Sequence, residues 1–551
     1  MATSSKEIQL RELKDTIAEL NALIKTLQET ISSQNAREAA LQTERDNLKE
    51  QVDYLTKKLF GKSSERSNVF PGQYNLFNEF EYEAAQDDED ADQDEPETDP
   101  PKKRKPRKTN NERFAGLKVK IEYLDPPEEA MTCSGCGTPL AYIGEEVVRE
   151  EFHIVPARGY VIKYISRNYG CPNDDCPNKL GNAEGHVLPY IVKGKDGKPH
   201  MLHGMASSAT VAWILYQKYV NSIPLYRLEK EWNLLGVSVT RATMSRWVIG
   251  NAEEYFRPLY DYFHRILKTR PFLMADETPL QVLKEPERRP QTKSFMWLFR
   301  TGERDDIPIV LYKYSETRAG DNAKDFLDDY EGYIMCDGYS GYNKLTKAKR
   351  TACWAHVRRY LIDAIPKGKQ HDHSQPAVQG LLYVEKLYRI ERSIKGLNNE
   401  EAIRLARLKE APDIIKGFFE WVDAQRPVKG SRFYKAIVYI QNRRPYMATY
   451  LENGNCSFDN NASERDIKDF VIGRKNWLFC DTPKGARASA EIYSLVNTAK
   501  ANGVNPYYYL RYLLDVLPTM DPGNDEELEK VVPWNPNLKA VVKELEDKEP
   551  M

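Results

Sequence analysis

Between Pro271 and Ala364 short apolar runs alternate with polar loops in an order that few globular architectures accommodate. "PFLMADETPLQV" is an apolar run ending at Asp276, and "KSFMWLFRTG" and "IPIVLYKYSET" are two more runs of strand length, separated by loops rich in charge and proline. "DNAKDFLDDY" has helical spacing. "GYIMCDGYSGYN" is again a buried-strand pattern, ending at Asp337, and "RTACWAHVRRYLIDA" passes from strand into helix. The predicted order is three strands, helix, strand, helix, strand, helix. Such an order implies an antiparallel meander continued by parallel strands through helical crossovers.

That is the order of a ribonuclease-H-like α/β core, expected over 266–365 and 456–485 and interrupted by a helical insertion at 366–455. Asp276 and Asp337 each follow a strongly apolar run and precede turn-forming residues, so both are expected at strand ends, facing one another. Crowded carboxylates repel unless hard cations neutralise them, and Mg²⁺ takes oxygen ligands while keeping water. Two such ions about 4 Å apart activate an attacking hydroxyl and stabilise a leaving oxygen in phosphoryl transfer. For the third carboxylate, spacing leaves Asp363, Glu420, Asp459, Glu464 and Asp466 open. Glu464 opens an amphipathic helix and is followed by Arg465, Lys468, Arg474 and Lys475, cations suited to a DNA backbone. The same glutamate stands three residues after Asn461, a capping-box-like spacing that local hydrogen bonding alone would explain.

The remainder of the 551-residue chain exceeds one core, so further domains are expected. With Leu10 at heptad position a, the a series reads Leu10, Ile17, Ile24, Ile31, Glu38, Arg45, Val52, Leu59, and d reads Leu13, Leu20, Leu27, Gln34, Leu41, Leu48, Leu55. β-branched a with Leu at d predicts a parallel coiled coil over 6–60 and hence a homodimer; the alternative is one long helix packed on its own globular body. Residues 68–111 lack an apolar period and read as a disordered linker, acidic through "DDEDADQDEPETD" and then basic through "KKRKPRK". The formal net charge is −2, yet outside that acidic stretch 80 basic residues face 73 acidic ones, a balance that permits a nucleic-acid partner. Cys133 and Cys136 form a CxxCG knuckle, Cys171 and Cys176 a second pair, and the alternating residues between them predict a small zinc ribbon-like β domain over 112–200 with a structural Zn²⁺. Four close cysteines among eight point to metal in a reducing cytosol rather than to disulfides. Residues 201–265 read as helical, with a Gly236 turn and a second helix near Thr240. Arg241, Thr243, Ser245 and Arg246 are available on its exposed side, the spacing of a helix-turn-helix, although helix pairs with a glycine turn also occur in bundles that bind nothing. Residues 486–551 are expected to be a helical segment and tail. No apolar run approaches the roughly 20 residues that span a bilayer, and the start has no signal-like core, so a soluble cytoplasmic protein without a membrane is expected.

"ADETPLQV", "CDGYSGYN", "CWAHVRRY" and "DNNASERDIKDFVIGRKNWLF" resemble the signature blocks of the transposases of bacterial insertion-sequence family 66. The Leu-rich start with "KKLFGKSSERS", the CxxCG segment and "IYSLVNTAKANGVNPYYYL" match the same family in the same order. The resemblance implies a DDE transposase with Asp276, Asp337 and Glu464 as the ligands of two Mg²⁺ or Mn²⁺ ions. It also implies a bacterial cytoplasm, a nucleoid-associated protein, binding to terminal inverted repeats and target DNA, and work alongside two small accessory proteins of the same element. His356, in a Cys-x-x-His string, is a candidate for substrate or metal contact, or else a buried packing residue. Arg358 and Arg359 join the candidate phosphate contacts. Two other readings stay open: a ribonuclease-H-like DNA nuclease that cuts without joining, and a transposase-derived regulator that binds DNA and leaves the carboxylates idle.

Overall fold

A computed structural model describes residues 205–548 continuously, with scattered positions between 25 and 45 and short stretches between 160 and 193. Cys133, Cys136, Cys171 and Cys176, the 68–111 linker and most of the heptad repeat lie outside the described residues. Within the repeat, Lys25, Thr26, Gln28, Thr30, Ile31, Gln34, Arg37 and Arg45 are helical and exposed. Between 168 and 193, β1 (Asn168–Gly170) pairs antiparallel with β4 (Ile191–Lys193), and β2 (Leu180–Gly181) with β3 (Val187–Leu188).

Helices α1 (Ser208–Tyr219), α2 (Leu225–Leu234), α3 (Arg241–Asn251) and α4 (Arg257–Leu267) come next. Ser207 caps α1 by accepting from the Thr210 amide, and Thr240 caps α3 by accepting from the Thr243 amide. Gly236, at φ +78°, makes the turn between α2 and α3, a conformation that disfavours a Cβ. A π turn, Ala252–Phe256, carries α3 into α4.

The centre is a five-stranded sheet of β5 (Phe272–Gln281), β6 (Lys293–Thr301), β7 (Val310–Ser315), β8 (Tyr333–Cys336) and β9 (Lys349–Ala352), in spatial order β7-β6-β5-β8-β9. β5, β6 and β7 form an antiparallel meander, while β8 runs parallel to β5 and β9 parallel to β8. α5 (Asp321–Leu327) supplies the crossover from β7 to β8. The helix expected between β8 and β9 is a 3-10 turn, Ser340–Lys344, because the connection is too short for more. α6 (Trp354–Ala364) follows β9. The chain then runs through α7 (Pro376–Ser393), α8 (Glu400–Leu408), α9 (Ala411–Ala424) and α10 (Arg432–Met447) before α11 (Asn461–Trp477), α12 (Pro483–Ala501), α13 (Pro506–Val516), the short α14 (Asp525–Leu528) and α15 (Pro536–Lys548). None of the described helices is long and apolar enough to cross a membrane.

Alternation along the strands divides the interior in two. Leu273 and Ala275 belong to a core shared with α1, α4, α12 and α13; Phe272, Met274 and Met335 belong to a second core built with α6, α7, α9 and α10. The free edge of β7 is closed by α12. The Ser494 and Thr498 hydroxyls accept from the Tyr312 and Val310 amides at 2.8 and 3.0 Å, and Thr498 returns a bond to the Val310 carbonyl. An edge that would otherwise pair with another chain is thereby satisfied by two hydroxyls one helical turn apart.

Candidate active site

Asp276 does not end its strand. β5 continues to Gln281 because β6 pairs with it throughout, Asp276 opposite Leu298 and Gln281 opposite Lys293. What stops there is the neighbour on the other side: the parallel ladder ends at Met274 opposite Met335. Pro279 follows within the strand, where β8 no longer lies alongside and its missing N–H breaks no parallel ladder. Asp337 immediately follows the last residue of β8, as expected. By parity Asp276 continues the face of Phe272 and Met274, and Asp337 that of Met335, so both start from the face built on α6, α7, α9 and α10.

The Asp337 turn is held from several sides. Its Oδ1 accepts from the Tyr339 amide at 2.8 Å, an Asx turn. Arg443, from α10, donates to the Gly338 carbonyl. Arg318, from the loop before α5, places Nη2 4.0 Å from Asp337 Oδ2 and packs its guanidinium on the Tyr339 ring, 3.9 Å from the centroid.

Glu464 is delivered by the start of α11, and the capping-box alternative does not describe this helix. The Asn461 amide donates to Asp459 Oδ1 at 3.2 Å, and the Glu464 amide makes an ordinary helical bond to the Asn460 carbonyl. Asn460 anchors the turn: it is 1% exposed, its Nδ2 donates to the Ala275 carbonyl at 3.2 Å, and its amide donates to Cys353 Sγ. The Glu464 side chain faces α6 instead of its own helix start. Arg359 Nη2 donates to Oε2 at 3.3 Å, and His356 Nε2 lies 3.6 Å from Oε1. Glu464 Oε1 and His356 Nδ1 are buried without a hydrogen-bond partner.

Electrostatics tie the acids together. Burial pushes Asp276 well above the usual carboxylate range, and the negative charges of Glu277, Asp337 and Glu464 add to the shift. Burial also holds His356 below the usual histidine range, against the pull of Glu464 and Asp337. An unpartnered glutamate oxygen near two aspartates is oxygen-only donor chemistry and fits a hard divalent cation. Among the described residues, however, no three His, Cys, Asp or Glu side chains converge closely enough to hold an ion as they stand.

The other candidates distribute unevenly. Arg358 points away and pairs with Glu385 at 2.8 Å, and Arg465 pairs with Glu303. Arg474 donates to Thr278 Oγ1 on β5 at 3.3 Å. Lys468 and Lys475 are exposed and lie within about 40° of Glu464 around the α11 axis. Arg241 is exposed at the start of α3 but turns back toward Glu229, Thr243 engages Thr240 and Arg246, and Ser245 is half-buried. Trp477 packs edge-on against Phe470. Cys336 and Cys353 are buried thiols, pushed up to about 11 and about 12 by burial.

Sequence reasoning missed Glu277, Arg318 and Arg443, and it weighed Asn460 only as a possible helix cap beside Asp459 and Asn461, not as the anchor to β5. Glu277 and Asn460 stand beside residues already singled out, so adjacency was the available signal; Arg318 and Arg443 come from loops and helices whose local pattern carries none.

The profile of the IS66 transposase family matches residues 203–488, and that of the IS66 C-terminal element matches residues 494–534. The zinc-finger binding domain of transposase IS66 matches residues 131–173, and the profile described as transposase C of IS166 homeodomain matches residues 47–115. Two proteins of Sinorhizobium fredii (strain NBRC 101917 / NGR234) are similar along most of their length. Uncharacterized protein y4qI is 28% identical over 96% of this chain and 98% of its own, and uncharacterized protein y4jD is 29% identical over 74% and 78%. The chain belongs to the IS66 transposase family.

Proposed function

We propose that this protein is a DDE-type DNA transposase with a ribonuclease-H-like core, in which Asp276, Asp337 and Glu464 hold divalent cations for strand cleavage and strand transfer. The observation that supports the reading is that the charges of Asp337, just past β8, and of Glu464, from a distant helix, both act on the buried Asp276 of the adjacent parallel strand, with one glutamate oxygen left buried and unpartnered. Mg²⁺ or Mn²⁺, when bound there, would activate water or a 3′-hydroxyl and stabilise the leaving oxygen. The chain's own residues supply the rest. Asn460 fixes the start of α11 against β5, and Arg359 orients Glu464 through Oε2, with His356 beside the unpartnered Oε1. Lys468 and Lys475 offer cations to a DNA backbone along the same helix face. In this reading α3 contributes to binding terminal inverted repeats, the Cys133, Cys136, Cys171 and Cys176 segment holds structural Zn²⁺, and the heptad repeat pairs two subunits so that both ends are held together.

Full-length protein is incubated with Mg²⁺ or Mn²⁺ and duplexes taken from the DNA bracketing its gene. Strand cleavage followed by joining to target DNA is expected, and Asp276→Ala is expected to abolish both. Undiminished activity of that variant overturns the assignment. Cleavage without joining identifies a nuclease, and repeat binding with no cleavage a regulator.

A further inference from the structure

Glu277 sits next to Asp276 and plays no part in the chemistry above, yet it is among the most completely enclosed carboxylates near the site, its side chain only 1% exposed. An isolated buried carboxylate is costly, so its partners matter. Tyr342 donates its hydroxyl to Oε2 at 2.5 Å. Arg318 donates from both Nε and Nη2 to Oε1, at 2.8 and 2.5 Å. The same guanidinium is stacked on Tyr339, whose hydroxyl donates to the Arg318 carbonyl, so backbone and side chain are gripped at once. The loop is pressed onto the 3-10 turn that follows Asp337: a Cβ at Gly320 would meet the Gly341 carbonyl oxygen at 2.2 Å, a separation no side chain tolerates. Glu277 and Tyr339 thus converge on one arginine, with Tyr342 bonded to the far oxygen of Glu277, and that arginine is 42% exposed and stands 4.0 Å from Asp337.

Two of the guanidinium's three nitrogens are occupied by Glu277, and the third carries donors that none of these contacts uses. A flexible arginine loses entropy when it binds a ligand; one pre-bound by a buried carboxylate and a ring does not. We infer that Arg318 is a phosphate-binding residue of the active site, taking a non-bridging oxygen of the phosphodiester cut beside Asp337, and that Glu277, Tyr339 and Tyr342 exist to hold its guanidinium there. This rests on the transposase reading above. Arginine matches the need because its planar fork gives one edge to Glu277 and keeps donors for a phosphate oxygen, which a lysine cannot do.

The cleavage position on a duplex from the DNA flanking the gene is first mapped with wild-type protein and Mn²⁺. The duplex is then made with either the natural phosphodiester or a methylphosphonate, which removes one charged non-bridging oxygen, at that position. On the natural duplex Arg318→Gln is expected to slow single-turnover cleavage about ten- to a hundredfold, the worth of one charge-assisted hydrogen bond. On the methylphosphonate, wild type slows and Arg318→Gln slows no further. Because Arg318→Gln leaves Glu277 unpaired, the Glu277→Gln/Arg318→Gln double variant is measured in parallel and is expected to show the same dependence on the phosphate. Equal slowing on both duplexes, or no slowing on either, means that Arg318 only accompanies Glu277, and overturns the inference. Wild-type protein that cuts neither duplex, or Asp276→Ala that cuts as well as wild type, removes the underlying reading and this inference with it.

Discussion

Adjacent asparagines at the start of α11 give the sharpest test of how the site is built. Asn460→Ala removes the bond from Nδ2 to the Ala275 carbonyl, worth about 1 kcal/mol, and leaves that carbonyl inside the protein, at a further cost of about 1–3 kcal/mol. The expected destabilisation is therefore about 2–4 kcal/mol. Asn461 is exposed and its amide, not its side chain, makes the bond to Asp459, so Asn461→Ala should stay within about 0.5 kcal/mol of wild type. Urea titration of the full-length protein, followed by tryptophan fluorescence, separates the two. Catalysis should follow the same asymmetry. Ala275 precedes Asp276, and Asn460 stands one helical turn before Glu464, so loosening this bond lets one carboxylate shift relative to the other. A displacement of about 1 Å costs about a hundredfold in rate. If Asn461→Ala is as harmful as Asn460→Ala, or if Asn460→Ala costs less than about 0.5 kcal/mol, the anchoring role is wrong and the capping-box explanation of this stretch returns.

Two other perturbations address stability. Burial pushes Glu491, which pairs with Arg257, up to about 7, so the folded protein holds a proton that the unfolded chain releases near the ordinary glutamate value of 4.5. Stability should fall as pH rises from about 4.5 to about 7, by on the order of 3 kcal/mol, and level off above; Glu491→Gln should flatten that segment of a pH series of urea midpoints. Arg407 is fully buried, binds both oxygens of Glu391 at 2.8 and 2.9 Å and donates to the Tyr450 carbonyl. Arg407→Met should cost about 3–5 kcal/mol in the same assay, and Arg407→Met with Glu391→Leu should recover most of it, because the unpaired charge is what costs.

The strands and helices that frame the site were legible because apolar period is a local property. The meander, the two parallel strands and the α2–α3 turn at Gly236 all follow from it. Strand ends were less legible: "DETP" reads as a turn, but β6 supplies nine consecutive partners and holds β5 extended through Pro279. Whether Glu464 capped its helix could not be decided from spacing, since Asn460 and Asn461 are equivalent on paper and differ only in that one faces Ala275. Arg318 and Arg443 were invisible for a different reason. Each is an ordinary arginine in its own segment, and its importance comes from where the sheet places Glu277 and Gly338.

The bond between Asn460 and Ala275 joins residues 185 positions apart in the chain. At ordinary rates of protein synthesis that gap is roughly 10–40 s of translation. A growing chain exposes α1 to α4, the heptads and the cysteine segment well before it owns Glu464, and the core beneath the two aspartates awaits α7, α9 and α10. All three carboxylates are therefore present only once α11 has been made, and the core shared with α12 and α13 closes later still, so a copy truncated before Asn461 lacks Glu464 and, on the proposed reading, is expected not to cut DNA.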